Sequence, residues 1–240
     1  MSFPGQRIAK VMSSRGLCSR RTAELWIKEG RVQVNGRRID SPALNVSSTD
    51  DIRVDRAPIP APSSVRVWQF HKPRGYITTH KDPQQRPTMF SLLPEHFPRV
   101  ISVGRLDMDS EGLILLTNQG ELAHSLENPA TEWVRSYRVR VHGRVQQQKL
   151  DLLRDGITID NVHYKPIQAI LEVQMNTNAW IRVQLSEGKN REIRKVFDFL
   201  GWPVLRLIRI GFGAFSLGEL EEGAVEEIPK HILKKFNITK

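Results

Sequence analysis

Beyond residue 65 the chain is a succession of short apolar segments with strand character, at 65–70, 76–79, 100–103, 113–116, 137–141, 169–173, 181–185 and 205–210. That succession constrains the fold more than any other feature. Helical patterns interrupt it at irregular intervals, at about 120–127, 146–155, 190–200 and 229–236. Strands in excess with scattered helices predict an α+β fold with a largely antiparallel sheet, not a doubly wound α/β fold. No internal repeat of fixed period is present.

The first 56 residues read differently. Residues 6–15 form a short amphipathic helix with Ile8, Val11 and Met12 on one face, stopped by Gly16. Ser19 is placed to cap a second helix that runs to Glu29, with Gly30 at its end. Arg31 to Ile39 then reads as a hairpin around Asn35-Gly36, a pair that tolerates the positive φ angles of a type I′ turn. Residues 57–64, Ala-Pro-Ile-Pro-Ala-Pro-Ser-Ser, favour extended chain and read as a linker. The expected organisation is therefore a small domain at 1–56, a linker at 57–64 and a large domain at 65–240.

Composition narrows the partners. The 240 residues carry 36 Lys and Arg against 26 Asp and Glu, a net charge of +10, which favours a polyanion. Residues 1–56 hold 11 of the bases and six of the acids, and a second basic cluster lies at 182–209. The one cysteine, Cys18, excludes an internal disulfide and argues for a reducing compartment. No apolar run approaches a membrane span, and the first residues lack the apolar core of a secretory signal. A cytoplasmic protein without membrane contact is expected, most simply a monomer. Neither a Gly-rich nucleotide fingerprint nor a Cys/His grouping with metal spacing occurs, so no metal site and no cofactor are expected.

Four segments hold residue types suited to chemistry. The first, Phe70-His-Lys72-Pro-Arg74-Gly-Tyr-Ile-Thr-Thr79, contains a Pro/Gly turn between strands and continues into Lys81-Asp-Pro-Gln-Gln-Arg86-Pro-Thr88. The second, Val103-Gly-Arg105-Leu-Asp107-Met-Asp109, sets an acid beside an arginine in a polar loop ahead of an apolar strand. Such a placement can hold a carboxylate ionised, although surface acids in loops are common. Asp109 is read as an ordinary loop acid. In the third, Arg135 to Val141, alternation sends Tyr137, Val139 and Val141 to one face of a strand. In the fourth, Val183 to Phe197, Gly188 ends a strand, Asn190 can cap a helix, and Lys189, Arg191 and Arg194 crowd its first turns. Cations there oppose the helix dipole, and an anion held against the helix N-terminus would resolve the conflict.

Taken together, these segments resemble the pseudouridine synthase family of the ribosomal small-subunit enzyme A and the large-subunit enzymes B, E and F. The residues carrying the resemblance are Lys72-Pro-x-Gly75, Gly104-Arg-Leu-Asp107, Arg135-x-Tyr137 and Gly188-Lys-Asn-Arg-x-Ile-Arg194. Residues 1–56, with Ser19-Arg-Arg-x-Ala-Glu24 and Val34-Asn-Gly36, resemble the S4 RNA-binding domain. The resemblance implies a long, mostly antiparallel mixed sheet with a central cleft. It implies Asp107 as the catalytic residue, supported by Arg105, Tyr137 stacked on the base, Leu185, and Arg194 paired with Asp107. It also implies RNA contacts from Arg7, Lys10, Arg20, Arg21, Lys72, Arg74, Lys189 and Arg191. The reaction it implies is isomerisation of a uridine without metal or cofactor, through attack of Asp107 on the sugar or removal of its C2′ proton. The partner implied is ribosomal RNA, most simply 23S, because Arg86-Pro-Thr88 and Leu207-Ile-Arg-Ile210 look most like the large-subunit enzyme B branch. Asn128-Pro129, where histidine-proline is common, and Gln119, where an acid is usual, depart from the pattern. A 16S substrate and an S4 assembly factor without catalysis are the alternative readings.

Overall fold

The computed structural model describes residues 5–236 and Ile238; residues 1–4 of the segment read as lacking a secretory core lie outside them. It divides into two compact units. One runs to Val65 and takes in 97–101 and 118–120; the other comprises Arg66–His96, Ser102–Thr117 and the chain from Glu121 on.

In the smaller unit, helices α1 (Ile8–Ser14) and α2 (Arg20–Lys28) pack with strands β1 (Gln6–Arg7), β2 (Val32–Val34), β3 (Arg37–Arg38), β4 (Asn45–Val46), β5 (Ile52–Val54) and β6 (Ala57–Pro58). Ser19 caps α2, its Oγ accepting from the Thr22 amide at 3.0 Å. Asn35 and Gly36 turn the β2–β3 hairpin with φ of 51° and 77°. Ile8, Met12, Ala23, Ile27 and Val32 are fully buried and form the centre of this unit's core. Two local expectations change. Gln6–Arg7 are not the head of the first helix but pair with Asn45–Val46. Ala57–Pro58, read as the start of the linker, pair with β5.

From Arg66 on, the strands are β7 (Val67–Lys72), β8 (Ile101–Val103), β9 (Glu111–Thr117), β10 (Arg135–His142), β11 (Ile157–Ile159), β12 (Val162–Tyr164), β13 (Ile167–Gln174), β14 (Asn178–Leu185), β15 (Val204–Phe212), β16 (Phe215–Ser216) and β17 (Val225–Glu227). The helices are α3 (Gly120–Glu127), α4 (Gln147–Asp151), α5 (Glu192–Phe199) and α6 (Lys230–Lys235). Nine strands form one sheet in the order β13-β14-β10-β15-β9-β7-β17, with β16 on β15 and β8 on β9. β11 and β12 form a separate hairpin, turned by Asp160 and Asn161 at positive φ. No apolar periodicity marks so short a hairpin, although Asp-Asn is a pair that tolerates the left-handed region. Residues 76–79 do not form the expected strand. Ile77 makes a single bridge to Thr88, because Thr78 is drawn instead to the backbone of Leu106. No helix among the described residues is long and apolar enough to cross a membrane.

The middle of the sheet explains how a loop is held over it. Every residue of β9 is buried, as its apolar run Leu113-Ile-Leu-Leu116 requires of a strand covered on both faces. β9 lies antiparallel to β7 and parallel to β15, while each of the other registered pairs of this sheet is antiparallel. Gly112 makes the parallel contact possible. Its φ is +109°, and a Cβ there would lie 2.3 Å from the Arg209 carbonyl oxygen. β10 keeps the alternation read from the sequence, with Tyr137, Val139 and Val141 buried. A register shift against β15 between Ser136 and Tyr137 sets Tyr137 opposite Arg209, the local re-aiming that bulges produce beside sites. Helix α5 ends at Gly201 (φ +83°), with the amides of Gly201 and Trp202 returning to the carbonyls of Asp198 and Phe197.

These two glycines give a contrast that unfolding measurements can read. Gly112→Ala combines a strained φ with a backbone collision and is expected to destabilise by more than about 3 kcal/mol. Gly201→Ala meets nothing within 4 Å and is expected to lose only about 1 kcal/mol for the left-handed backbone. Equal losses in urea unfolding would contradict the close approach of β9 to β15.

Candidate active site

The loop between β8 and β9 carries Asp107, and its backbone is tied down residue by residue. Thr78 Oγ1 donates to the Leu106 carbonyl at 2.9 Å. The Gly75 amide donates to Met108 O at 2.7 Å. Arg194 Nη2 donates to Asp109 O at 3.0 Å. Lys72 Nζ donates to the carbonyls of Asp107 at 3.0 Å, Ser110 at 2.7 Å and Pro73 at 3.0 Å. Five consecutive carbonyls, 106 to 110, therefore each have a donor.

Lys72 corrects an expectation. It was assigned to RNA, but its side chain is 0% exposed. At the end of β7 it sits opposite Gly112, and its ammonium turns into the loop instead of out to solvent. Burial pushes Lys72 down to about 8, against the pull of Asp107, Asp109 and Glu111.

The acids and arginines above this clamp form one network. Arg191 reaches Asp107 Oδ2 at 3.5 Å and both oxygens of Asp109 at 3.3 Å. Arg194 reaches Asp109 Oδ2 at 3.2 Å and donates to Val204 O. The expected Arg194–Asp107 pair is thus replaced: Arg191 approaches Asp107, and Arg194 lies beneath, held on Asp109. Burial raises Asp109, but the Arg191 hydrogen bonds and the charges of both arginines outweigh it and hold the carboxyl below its ordinary value. Arg191 and Asp109 are 44% and 35% exposed, and ion pairs this exposed contribute about 0–1 kcal/mol, so the Arg191 contacts orient side chains more than they stabilise the fold. The head of α5 also differs from expectation. Asn190 does not cap it; Arg191 takes the N-cap position in left-handed conformation (φ 52°, ψ 32°), and the acidic Glu192 occupies the first turn. The conflict between cations and the helix dipole disappears, because Lys189 and Arg191 lie outside the helix and Arg194 is spent on Asp109.

These elements enclose a cavity of about 510 Å³. Of the residues singled out from the sequence, Asp107, Arg105, Tyr137, Leu185, Lys189 and Arg191 line it. Tyr137 is buried among the lining residues and lies opposite Arg209 of β15, whose Nε is anchored on the Leu113 carbonyl at 2.6 Å. Arg209 is itself buried, a cation in the middle of an apolar strand, and burial pushes its guanidinium down. Arg74 is exposed and does not line the cavity. Arg7, Arg20 and Arg21 are exposed and Lys10 half-buried in the other unit. Sequence reasoning missed Asp109 as the hub of the network, and it missed Thr78 and Arg209. A charged residue inside Leu207-Ile-Arg-Ile210 was the one available signal.

The lysine clamp has a measurable pH signature. Lys72 binds its proton less tightly in the folded chain (about 8) than in the unfolded chain (about 10.4). The unfolded state therefore holds more protons between those values, and stability rises with pH across that window. Relative to Lys72→Met, the wild type is expected to gain about 2 kcal/mol in urea unfolding between about pH 7 and about pH 9.5. A pH-independent difference between the two proteins would mean that Lys72 is not the desolvated group.

Comparison with known proteins fits this geometry. A family model described as RNA pseudouridylate synthase matches residues 66–198, and the S4 domain model matches residues 6–52. The chain is 46% identical over 234 residues to an RNA pseudouridine synthase of Rickettsia felis, covering 96% of this chain and 100% of the relative. It is 39% identical to the ribosomal large subunit pseudouridine synthase B of Pseudomonas aeruginosa, over 93% of this chain and 60% of the relative. It is 35% identical to the protein of that name from Buchnera aphidicola, over 96% and 93%. A crystal structure of a pseudouridylate synthase superimposes with a TM-score of 0.67 at 25% identity, covering 95% of this chain and 98% of that one. Given the S4 domain, the mixed sheet and these relatives, the chain belongs to the RNA pseudouridine synthases, intramolecular isomerases of uridine in RNA.

Proposed function

We propose that this enzyme converts one uridine of 23S ribosomal RNA to pseudouridine, with Asp107 as the catalytic residue. The observation that carries the assignment is the loop itself: a half-exposed carboxylate on a loop whose carbonyls from 106 to 110 each have a donor, at the wall of the cavity and 3.5 Å from Arg191. The reaction breaks the N1–C1′ bond, turns the uracil within the pocket and joins C5 to C1′; C5 loses a proton and N1 gains one. One ionised carboxylate serves either route, attacking C1′ or taking a proton from C2′. Tyr137 lies where its ring can stack on the base, which offsets roughly 1–3 kcal/mol of the energy needed to unstack the uridine. Arg105, Lys189 and Arg191 at the cavity wall suit the flanking phosphates. Arg7, Lys10, Arg20 and Arg21 of the S4 domain suit phosphates of structured RNA, as in recognition by shape. The large-subunit substrate is supported by the relatives named ribosomal large subunit pseudouridine synthase B. With ribosomal RNA as its substrate, the enzyme would work in the cytoplasm.

Chemical mapping of pseudouridine in ribosomal RNA from cells lacking this protein tests the proposal. One 23S site is expected to lose its modification, to regain it with the wild-type gene, and to remain unmodified with Asp107→Asn. Restoration by the Asn variant would remove Asp107 from the mechanism, and loss of a 16S site instead would overturn the substrate.

A further inference from the structure

Arg209 is a buried cation without a counter-charge. It lines the cavity and is 2% exposed. Its Nε donates to the Leu113 carbonyl at 2.6 Å, and the Phe212 ring centroid lies 5.7 Å from its Cζ. Its Nη2 is shielded from solvent and has no hydrogen-bond partner among the described residues. The acids nearby face other cations: Asp107 and Asp109 face Arg191 and Arg194, and Glu111 faces Arg206. A carbonyl and a ring meet little of a guanidinium's charge, and a buried cation left unpaired costs the fold stability. A buried donor with no acceptor in the free protein calls for a partner that arrives later.

The place of Arg209 in the sheet points to that partner. β15 runs between β9 and β10, and Arg209 lies opposite Gly112 on one side and Tyr137 on the other. Directly opposed residues of antiparallel strands point their side chains to one face, with Cβ atoms about 5 Å apart. A base stacked on Tyr137 therefore has an edge beside Arg209. The charge that develops there is negative. When N1–C1′ breaks, its electron pair leaves with uracil in either route. The base is then an anion, its charge shared among N1, O2 and O4, until C5 joins C1′; C5 afterwards loses its proton and N1 gains one. We propose that Arg209 is a catalytic residue that donates from Nη2 to a carbonyl oxygen of the departing uracil and holds the base as an anion between the two bond changes. The proposal rests on the reading of the cavity as the uridine site. A donor fixed in advance and shielded from water stabilises charge as it develops, without reorganisation at that moment. The bond from Nε to Leu113 and the strand on either side supply that fixity.

The test measures turnover and RNA affinity on a synthetic ribosomal RNA fragment that the wild type modifies, with uridine, 2-thiouridine or 4-thiouridine at the target position. Sulfur is a weak hydrogen-bond acceptor. With uridine, Arg209→Met is expected to lose about 100-fold in kcat, the scale of one preorganised donor. The dissociation constant should stay within about twofold, because the charge exists only once the bond has begun to break. With at least one thio substrate, the one that has sulfur where Arg209 donates, the loss is expected to shrink to less than about tenfold. A residue that only shapes the pocket would lower kcat by one factor on all three substrates. That result would overturn the proposal, as would full activity of Arg209→Met on uridine. Methionine fills the site without a buried charge. Arg209→Lys keeps the charge and loses the planar fork; it is expected to lose about tenfold on uridine and carries the same comparison should the methionine variant not fold. Asp107→Asn, assayed alongside, reports on Asp107 separately: activity of that variant would remove Asp107 from the mechanism and leave the Arg209 comparison readable.

Discussion

The buried ammonium of Lys72 is the constraint on which the rest of the site depends. It lies beneath the Asp107 loop and hydrogen-bonds two of that loop's carbonyls and that of Pro73. A hydrogen bond from a charged donor contributes roughly 1.5–3 kcal/mol, yet the folded chain holds the Lys72 proton less tightly than water does. Burial outweighs the three bonds, so carrying the charge here costs the fold stability. What it secures is the position of Asp107. Lys72 can reach the loop because β7 runs beside β9 with Lys72 opposite Gly112. β9 can lie against β15 at that level because residue 112 has no Cβ. The parallel contact of β9 with β15 and the placement of the candidate catalytic acid therefore share one cause.

Above the clamp, Asp109 does for the arginines what Lys72 does for the loop. Its carboxylate takes Arg191 on both oxygens and Arg194 on one, while its carbonyl takes Arg194 again. Arg194 is mostly buried, and a buried cation is tolerated when its charge is met at close range. Asp109 meets it, leaving Asp107 with one ion-pair partner among the described residues, Arg191 at 3.5 Å, and room to react. A carboxylate locked in a bidentate pair would be a poor nucleophile and a poor base. Two acids two residues apart thus divide the work: one anchors, and the other stays available.

Much of this was legible in the sequence where local rules decide. Ser19 caps its helix, Asn35-Gly36 turns its hairpin and Tyr137 alternates inward with Val139 and Val141, because each outcome depends on neighbouring residues alone. The motif segments that meet around the cavity were also readable as a set. Partnerships between those segments were not. Lys72 reads as a surface cation beside a turn until the β7–β9 register puts it opposite Gly112. Asn190 is a good capping residue, but the hydrogen bond from the Lys189 amide to Glu192 goes with an N-cap one residue later, at Arg191. Arg194 was assigned to Asp107 from motif resemblance, whereas three-dimensional placement gives it to Asp109. Residues 76–79 have strand composition, and the long-range hydrogen bonds between Thr78 and the Leu106 backbone override it.

The central claim is that the protein fixes Asp107 before RNA arrives, through backbone contacts remote from the substrate. Comparing kcat with RNA affinity for Lys72→Met tests it most directly. Methionine fills the same space but cannot donate to the loop carbonyls. The account predicts that kcat on unmodified ribosomal RNA falls by about 100-fold, the scale expected when a reacting group is misplaced by about an ångström. The dissociation constant for the same RNA should stay within about twofold, since Lys72 is buried away from it. An unchanged kcat, or a loss confined to RNA binding, would contradict the account and return Lys72 to the role of an RNA contact.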